Sequence, residues 1–152
     1  MQYRIAFIMG LLCLSNPLHA EREAFTLPNG DRYEGDVIDG VLSGSGVYEW
    51  ADGDRYEGEF SNDLPSGQGL YIWADGRRYE GEFVDGRRQG YGSLTWVNGA
   101  VYEGDFFANQ MQGNGTFRWA KGDRYAGPFM ANKRHGVGGM SWAERHRSDG
   151  EP

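Results

Sequence analysis

Cysteine, proline and aliphatic residues are scarce in this chain of 152 residues. It has one cysteine, five prolines and a hydrophobic share of only 39%, beside 25 glycines. A glycine-rich, aliphatic-poor chain builds neither long helices nor a thick aliphatic core, so a helical bundle and a doubly wound α/β enzyme are disfavoured. Five prolines are also too few for a collagen-like chain, which needs glycine at every third position.

Aromatic residues, in contrast, are abundant. Nine tyrosines, eight phenylalanines and five tryptophans make up 14% of the chain. Disordered segments are poor in aromatic residues, so the high glycine content does not indicate disorder. The composition therefore predicts an ordered, thin, β-rich structure.

The first twenty residues have the pattern of a secretory signal peptide. Arg4 precedes an apolar run over Ile5–Leu14, and polar residues with Pro17 separate this run from Ala20. Ala20 is the small residue expected before a cleavage site, and the run is too short to span a bilayer. Cleavage would remove Cys13, which excludes disulfides, Cys-ligated zinc and a thiol nucleophile from the mature chain. We therefore expect a periplasmic or secreted protein.

A period of 23 residues organises the remainder of the chain. One column holds tyrosine and another holds tryptophan: Tyr33, Tyr56, Tyr79, Tyr102 and Tyr125, and Trp50, Trp73, Trp96, Trp119 and Trp142. Four more columns with the same spacing hold 20 of the 25 glycines. The pattern predicts a signal peptide at 1–20, a leading partial repeat at 21–32, five repeats at 33–142 and a polar tail at 143–152.

Each repeat is predicted to contain two strands and two turns. In the clearest copy, Tyr56–Phe60 is followed by a six-residue connection and then by Gly67–Trp73. Asp75-Gly76 closes the copy, and such a dipeptide between strands predicts a type I′ turn. The other connection carries residues that tolerate the left-handed conformation, in one column: Gly40, Asp63, Gly86, Asn109 and Asn132.

Alternation along the strands predicts two different faces. Along Tyr56–Phe60 the tyrosine, glycine and phenylalanine share one face, while the glutamates share the other face with Arg55. Glycine is costly in a strand unless something approaches the backbone closely. We therefore expect neighbouring rings to lie across the glycine positions of an aromatic face.

The motif resembles the MORN (membrane occupation and recognition nexus) repeat. Tyr-Glu-Gly-Glu-Phe, the six-residue spacer, Gly-x-Gly and the final Asp-Gly recur from Tyr33 to about Trp142. The resemblance implies an all-β fold, an elongated twisted single-layer antiparallel sheet with one hairpin per repeat, and a role in protein interaction or membrane association. The last repeat departs from the pattern at Ala126 and Pro128. Because proline removes a ladder donor, we expect Pro128 in an edge strand and the fifth repeat as a cap.

The mature chain shows no catalytic or metal-ligating pattern. His135 and His146 have no partners at the spacing of a metal site, and Gly-x-Gly lacks the following helix of a phosphate loop. The repeated acids follow the 23-residue period, so we expect them to form cross-strand charge pairs with an arginine column. These residues are Glu34, Glu57, Glu80 and Glu103, beside Arg32, Arg55, Arg78 and Arg124. The prediction is a non-enzymatic protein without cofactor or metal.

The aromatic face and one end of the chain are candidate binding surfaces. Exposed rings on a shallow strip can stack on sugars or hold an apolar peptide, although the rings can also serve only to pack neighbouring repeats together. The predicted binding residues are Tyr56, Trp73, Tyr79, Trp96, Tyr102 and Trp119. Residues 21–85 have five basic and 16 acidic residues, a net charge of −11, whereas residues 86–152 have nine basic and six acidic residues, a net charge of +3. The basic end is represented by Arg87, Arg88, Lys133 and Arg134, and drift among solvent-facing loop residues is the alternative explanation.

The net charge limits the kinds of partner. A mature chain of net charge −8 argues against nucleic acid and against general adhesion to anionic lipid. The main hypothesis is a cell-envelope scaffold that binds a protein partner through the aromatic face or the sheet edges. The alternative is a module that binds lipid headgroups or glycan at the membrane or cell wall. Open sheet ends also allow a homodimer.

Overall fold

The computed structural model describes residues 20–143. They form one twisted, unclosed antiparallel sheet without helices, so the predicted all-β hairpin-repeat fold is confirmed. The strands are β1 Glu21–Thr26, β2 Arg32–Ile38, β3 Val41–Glu49, β4 Arg55–Ser61, β5 Leu64–Ile72, β6 Arg78–Val84, β7 Arg87–Thr95, β8 Val101–Phe107, β9 Gln110–Arg118, β10 Arg124–Met130, β11 Lys133–Arg134 and β12 Gly139–Ser141. The predicted signal peptide and residues 144–152 of the predicted tail lie outside the described residues.

Strand order in the sheet follows chain order. Each strand pairs with its sequence neighbours from β1 to β10, and β11 and β12 both pair with β10. Each repeat thus contributes a first strand, such as β4, and a second strand, such as β5. No helix within residues 20–143 is long and apolar enough to cross a membrane.

The loop that follows each second strand is a three-residue loop, so the predicted type I′ turn at this place is wrong. In one copy the Trp50 amide donates to the Asp54 carbonyl and the Gly53 amide donates to the Trp50 carbonyl, both at 2.9 Å. Only the glycine of this loop has a positive φ, +99° at Gly53, whereas Asp52 does not. This is a type I turn followed by a glycine bulge, in which one left-handed residue suffices.

The type I′ turns lie instead inside the repeats, between first and second strands. Asn62 and Asp63 have φ values of 51° and 67°, and their neighbours Ser61 and Leu64 pair directly. The expected six-residue connection is therefore a two-residue turn, and the second strand begins at Leu64 rather than at Gly67. The prediction that the column of Gly40 and Asp63 adopts the left-handed conformation is confirmed.

Neighbouring repeats are joined through these type I′ turns. The amide of Leu42 donates to Oδ1 of Asp63 at 2.8 Å, and Arg88 and Met111 donate in the same way to Asn109 and Asn132. At the remaining internal position Pro65, which has no N–H, takes the place of the donor, and Gly86, which has no side chain, takes the place of the acceptor. The absence of the donor is thus matched by the absence of the acceptor.

Pro128 lies in an internal strand, so the predicted edge position is wrong. Its strand, β10, pairs with β9 on one side and with β11 and β12 on the other. Each earlier first strand has a bulge at the equivalent position; at Glu59, for example, the register shifts between Gly58 and Phe60. Neither β11 nor β12 pairs with Pro128. A bulge is the other place in a sheet where a missing N–H is tolerated.

The core lies on one face of the sheet and consists mainly of rings, here called the inner aromatic row: Tyr33, Tyr56, Tyr79, Tyr102 and Tyr125 with Phe60, Phe83, Phe106 and Phe129. All nine side chains are at most 5% exposed. Tyr56 contacts both Phe60 and Phe83 edge to face, with ring centroids 5.1 Å apart, and this pattern continues along the sheet. A Cβ atom added to Gly69 would lie 2.5 Å from Cζ of Tyr56, which confirms that rings lie across glycines.

The opposite face is charged but sparsely paired. Within residues 20–143 there are three ion pairs, and Arg55 makes two of them, with Glu57 at 2.7 Å on its own strand and with Glu49 at 3.6 Å on β3. The predicted ladder of cross-strand pairs is therefore wrong for all four glutamates, since Glu57 pairs within its own strand and Glu34, Glu80 and Glu103 form no ion pair in the described range. Equivalent glutamates are two strands apart, about 10 Å, and the residue between them is uncharged, as Leu70 is between Glu57 and Glu80.

Candidate functional site

The three tyrosines among the predicted binding residues belong to the core. Tyr56, Tyr79 and Tyr102 are 0% exposed, and each hydroxyl donates to the backbone carbonyl three residues later, at 2.8–3.1 Å. Burial raises the pKa of Tyr79 to about 12, because the ionised phenolate is disfavoured away from water. Fully buried rings offer no surface to a partner, so the accessible candidates are Trp73, Trp96 and Trp119.

These tryptophans belong to a second line of rings, here called the outer aromatic row, beside the three-residue loops. The row consists of Tyr48, Trp50, Tyr71, Trp73, Trp96, Phe117 and Trp119, all half-buried against the core. Neighbouring centroids are 4.7–5.3 Å apart from Tyr48 to Trp73 and again from Trp96 to Trp119. Leu94 takes the ring position between the two stretches. Each half-buried ring keeps part of its surface for a ligand.

Two arginines lie against Trp73; Arg77 is paired with Asp75 at 2.8 Å, whereas Arg88 has no ion pair within residues 20–143. The guanidinium carbons of Arg77 and Arg88 are 4.9 and 5.3 Å from the centroid of Trp73. Arg88 also contacts Phe106 and donates from Nη2 to the carbonyl of Asn109 at 2.7 Å, while its buried Nε has no hydrogen-bond partner in the described part of the chain. Burial lowers the pKa of Arg88 from its ordinary value, yet arginine keeps its charge.

A cavity of about 360 Å³ at the C-terminal end unites three other predicted residues. Trp119, Lys133 and Arg134 line it, together with Met111, Phe117, Phe129 and Asn132. The guanidinium carbon of Arg134 is 5.5 Å from the ring centroids of Trp119 and Tyr125, which repeats the placement of Arg88 two repeats earlier. Arg87, the remaining predicted basic residue, is exposed and belongs to neither cluster.

Charged residues elsewhere do not form a recognisable metal site. In the described range, 20–143, there is no group of three or more His, Cys, Asp or Glu side chains that could hold a metal ion. The chemistry that this face offers is therefore stacking, cation–π contact and hydrogen bonding by arginine.

Comparison with known families agrees with the 23-residue period. The model of the MORN repeat matches residues 33–55, 56–77, 79–101, 102–124 and 125–147. The chain belongs to the MORN-repeat family. MORN repeats generally act as scaffolds for interactions with proteins or membranes.

Other comparisons add little to the MORN assignment. No curated protein sequence matches the chain. Among solved structures 33 chains match, and one of these is the SAS-4 (dCPAP) TCP domain in complex with a Proline Rich Motif of Ana2 (dSTIL) of Drosophila melanogaster. It is 12% identical, covers 91% of this chain and 99% of its own, and has a TM-score of 0.37. Likeness at that level carries no conclusion about function.

Sequence reasoning missed a polar clasp between adjacent MORN repeats. Asp31 is only 7% exposed and accepts hydrogen bonds from the Tyr48 hydroxyl and the Ala51 amide, both at 2.8 Å. Burial raises the pKa of Asp31, but these bonds outweigh it, so the pKa lies below its ordinary value. Asp54 makes the same contacts with Tyr71 and the Ala74 amide.

The clasp has a signal in the sequence. Where the aspartate is absent, the tyrosine hydroxyl is absent too. Arg77 and Ala100 stand at the aspartate position, and Leu94 and Phe117 stand at the tyrosine position 17 residues later. Asp123 is the exception, because Met140 holds the tyrosine position and only the Ala143 amide donates to this aspartate, at 3.0 Å. The matched losses at the other two positions are the signal that would have identified the contact.

The clasp gives a test by double-mutant cycle. We expect Asp54→Ala to lower the free energy of unfolding by about 1–2 kcal/mol, because the Tyr71 hydroxyl and the Ala74 amide lose their acceptor. Adding Tyr71→Phe to this variant should cost at most about 0.5 kcal/mol, since Ala100 and Phe117 already form that combination, whereas Tyr71→Phe alone should cost about 1 kcal/mol. Urea titrations of the four proteins measure the coupling. Additive effects would contradict the clasp.

Proposed function

We propose that this chain is a non-enzymatic scaffold of the cell envelope that binds a second protein through the outer aromatic row. The observation that carries the proposal is the line of half-buried rings between Tyr48 and Trp119, because partly exposed aromatic side chains are the residues on which binding energy concentrates. Rings fixed by neighbouring rings lose little conformational entropy on binding.

Cations give this row a chemical preference. Among the described residues, Arg88 and Arg134 have no carboxylate within ion-pair distance, yet each lies against a tryptophan of the row. A partner that brings apolar and acidic side chains together would meet both features. The export of the protein is inferred from the signal-peptide pattern at 1–20 and the lack of cysteine after Cys13.

Capture from periplasmic extract tests the proposal. The triple variant Trp73→Leu, Trp96→Leu, Trp119→Leu removes the ring surface, and the natural Leu94 indicates that leucine fits this row. We expect the variant to retain at least about 10-fold less of a partner bound by the wild type, since removing several aromatic anchors costs more than 1.4 kcal/mol. Phe107→Leu, which changes a ring that is 61% exposed and outside the row, is the matched control.

The outcomes of this capture separate the parts of the proposal. Equal capture by a folded triple variant would contradict the outer aromatic row as the binding surface. Recovery of the full-length precursor only in the cytoplasmic fraction would contradict the envelope location.

The C-terminal cavity favours lipid headgroups or glycan as a second candidate ligand. Its lining combines Phe117 and Trp119 with the cations of Lys133 and Arg134, which suits a sugar ring or an anionic headgroup. Peptidoglycan and phosphatidylglycerol vesicles are the added arms of the capture experiment. Headgroup binding should weaken as salt rises, because exposed charges are screened. Retention by neither material would remove this candidate.

A further inference from the structure

The last repeat ends in a strand that is paired on one side only. Among the described residues, β11 and β12 pair with β10, and no strand covers their other side. Every residue from 131 to 140 is exposed, and Val137 and Trp142 are 95% and 67% exposed. A row of open backbone groups beside exposed apolar side chains is a template for a further strand.

Earlier repeats define which groups such a strand would meet. The second strand β7 pairs through Gly90–Thr95 with the first strand β8 of the next repeat, and 46 residues later the same positions are Gly136–Ser141. The Trp119 amide donates toward the following strand, to Asp123, at 2.8 Å. Trp142 is its equivalent, and backbone directions alternate along a strand, so Met140 and Trp142 direct their N–H and C=O groups to the open side.

Arg134 shows the same incompleteness in its side chain. Arg88, its equivalent, is covered on the far side by Phe106 and by the carbonyl of Asn109, both from the next repeat. Arg134 has the near-side contacts with Trp119 and Tyr125, and its Nη1 donates to Sδ of Met140 at 3.6 Å. In the described part of the chain no ring or carbonyl oxygen lies over its other side. A strand added here would supply both.

Within residues 20–143, a second copy of the chain has no free strand of the required type. Both open edges, β1 and β12, are second strands: Phe25 of β1 faces Tyr33 as Tyr48 faces Tyr56. An antiparallel continuation that keeps the aromatic face on one side needs a first strand, and β2, β4, β6, β8 and β10 are already paired on both sides. Self-pairing of two β12 edges would instead join edges of equal positive charge.

We propose, resting on the scaffold function above, that the β11–β12 edge binds an extended acidic segment of another protein, which adds as an antiparallel strand and places an aromatic side chain over Arg134. Cations surround this edge without carboxylate partners in the described residues: Arg118, Lys121, Arg124, Lys133 and Arg134. Backbone hydrogen bonds supply affinity in this mode of recognition, and side-chain contacts supply specificity.

A peptide that copies residues 100–107 is the probe, because these residues contain the first strand that pairs with β7. It carries Tyr102, Phe106 and two acidic residues, Glu103 and Asp105. We expect fluorescence anisotropy to detect binding of this peptide to the mature protein. A scrambled peptide of the same composition should bind at least about 10-fold more weakly, because backbone pairing then brings the wrong side chains together.

A pair of substitutions at Met140 tests backbone pairing. Met140→Pro removes an N–H that points away from β10 and should weaken the peptide at least about 10-fold while β12 stays paired. Met140→Thr keeps the donor and a strand-forming side chain, so binding should remain within about threefold of the wild type. Arg134→Gln should weaken binding about threefold to tenfold and flatten its salt dependence.

Several results would overturn the proposal. The proposal is contradicted if the peptide of residues 100–107 fails to bind the wild type, if the scrambled peptide binds equally well, or if the peptide binds a folded Met140→Pro variant as well as it binds the wild type. A dimer of the wild type that dissociates in Met140→Pro would also overturn it, because a second copy would then occupy the edge. Undiminished protein capture by the folded tryptophan triple variant, with peptide binding to the wild type intact, contradicts only the outer aromatic row, so the two proposals fail separately.

Discussion

Replacing Gly92 with alanine is expected to lower the free energy of unfolding by at least about 3 kcal/mol. A Cβ atom at this position would lie 2.6 Å from Cζ of Tyr79. The ring cannot retreat, since it is fully buried between Phe83 and Phe106 and its hydroxyl donates to the carbonyl of Glu82 at 3.1 Å. Gly92 does not have a positive φ, so the loss reflects space and not backbone conformation.

Gly40→Asn is the matched control for this substitution. Gly40 has a φ of +76°, and a Cβ atom there would meet nothing within 4 Å. Asn109 and Asn132 hold the same position in later repeats, at φ values of 72° and 67°. We therefore expect a change of no more than about 0.5 kcal/mol.

Urea titration followed by tryptophan fluorescence measures both variants and one further combination. Tyr79→Ala alone should cost about 3–5 kcal/mol because it leaves a cavity. Adding Gly92→Ala to it should then cost less than about 1 kcal/mol, since the colliding ring is gone. A cost below about 1 kcal/mol for Gly92→Ala in the wild type would show that the ring moves aside and that the prediction is wrong.

Alkaline pH is expected to unfold the protein cooperatively between about pH 10 and pH 12. Burial raises the pKa of Tyr33 and of Tyr79 to about 12, and it raises the pKa of four further tyrosines, which are Tyr48, Tyr56, Tyr71 and Tyr102. The fold favours the neutral phenol. The contribution of each buried tyrosine to the free energy of unfolding is complete below the unfolded pKa near 10, and it is lost as the pH rises through the folded pKa.

The size of the effect follows from the number of tyrosines involved. Tyr33 and Tyr79 each contribute on the order of 2 kcal/mol that disappears by about pH 12, and the others add to this. A domain has only about 5–15 kcal/mol in total, so the loss exceeds what the fold can withstand. Tyrosine ionisation near pH 10 with the sheet intact would contradict the prediction.

Absorbance at 295 nm and circular dichroism, followed together against pH, test this expectation. The two transitions should coincide, because the rings ionise only when the sheet opens. Tyr79→Phe keeps the ring and removes one titrating group. The slope of the free energy of unfolding against pH should therefore be smaller than in the wild type by the equivalent of about one proton. At neutral pH the same variant should lose about 1 kcal/mol, for the bond to the Glu82 carbonyl.

The inner aromatic row could be predicted because period and alternation determine it. A 23-residue repeat brings Tyr56 and Tyr79 to equal places in successive hairpins, and period-two alternation brings Phe60 to the same face as Tyr56. The glycine at Gly69 could be assigned to ring approach for the same reason. These inferences need only spacing and strand geometry.

The turns and the polar contacts could not be predicted in this way. Asp52-Gly53 fits a two-residue turn and a three-residue loop equally well, and the choice depends on where the strands pair. Pro128 is tolerated because its position corresponds to the bulge seen at Glu59 in an earlier repeat. This bulge does not change the 23-residue period, so the period could not predict it. Trp73 is half-buried and contacts Arg88 of the next repeat. Both features depend on side-chain conformations, which spacing does not determine.

The hydrogen bonds between repeats decide which segments of the sequence can be deleted or exchanged as a unit. Pro65, which lacks a donor, is matched by Gly86, which lacks an acceptor, 21 residues later. The acceptor Asp54 is matched by the donor Tyr71, 17 residues later. The intervals spanned by such matched pairs overlap along the whole series, so no cut point between repeats leaves every pair on one side. Deleting residues 56–78, for example, would bring the Leu42 amide to Gly86 and Asp54 to Leu94, so this 23-residue block cannot be removed without leaving both groups unpaired.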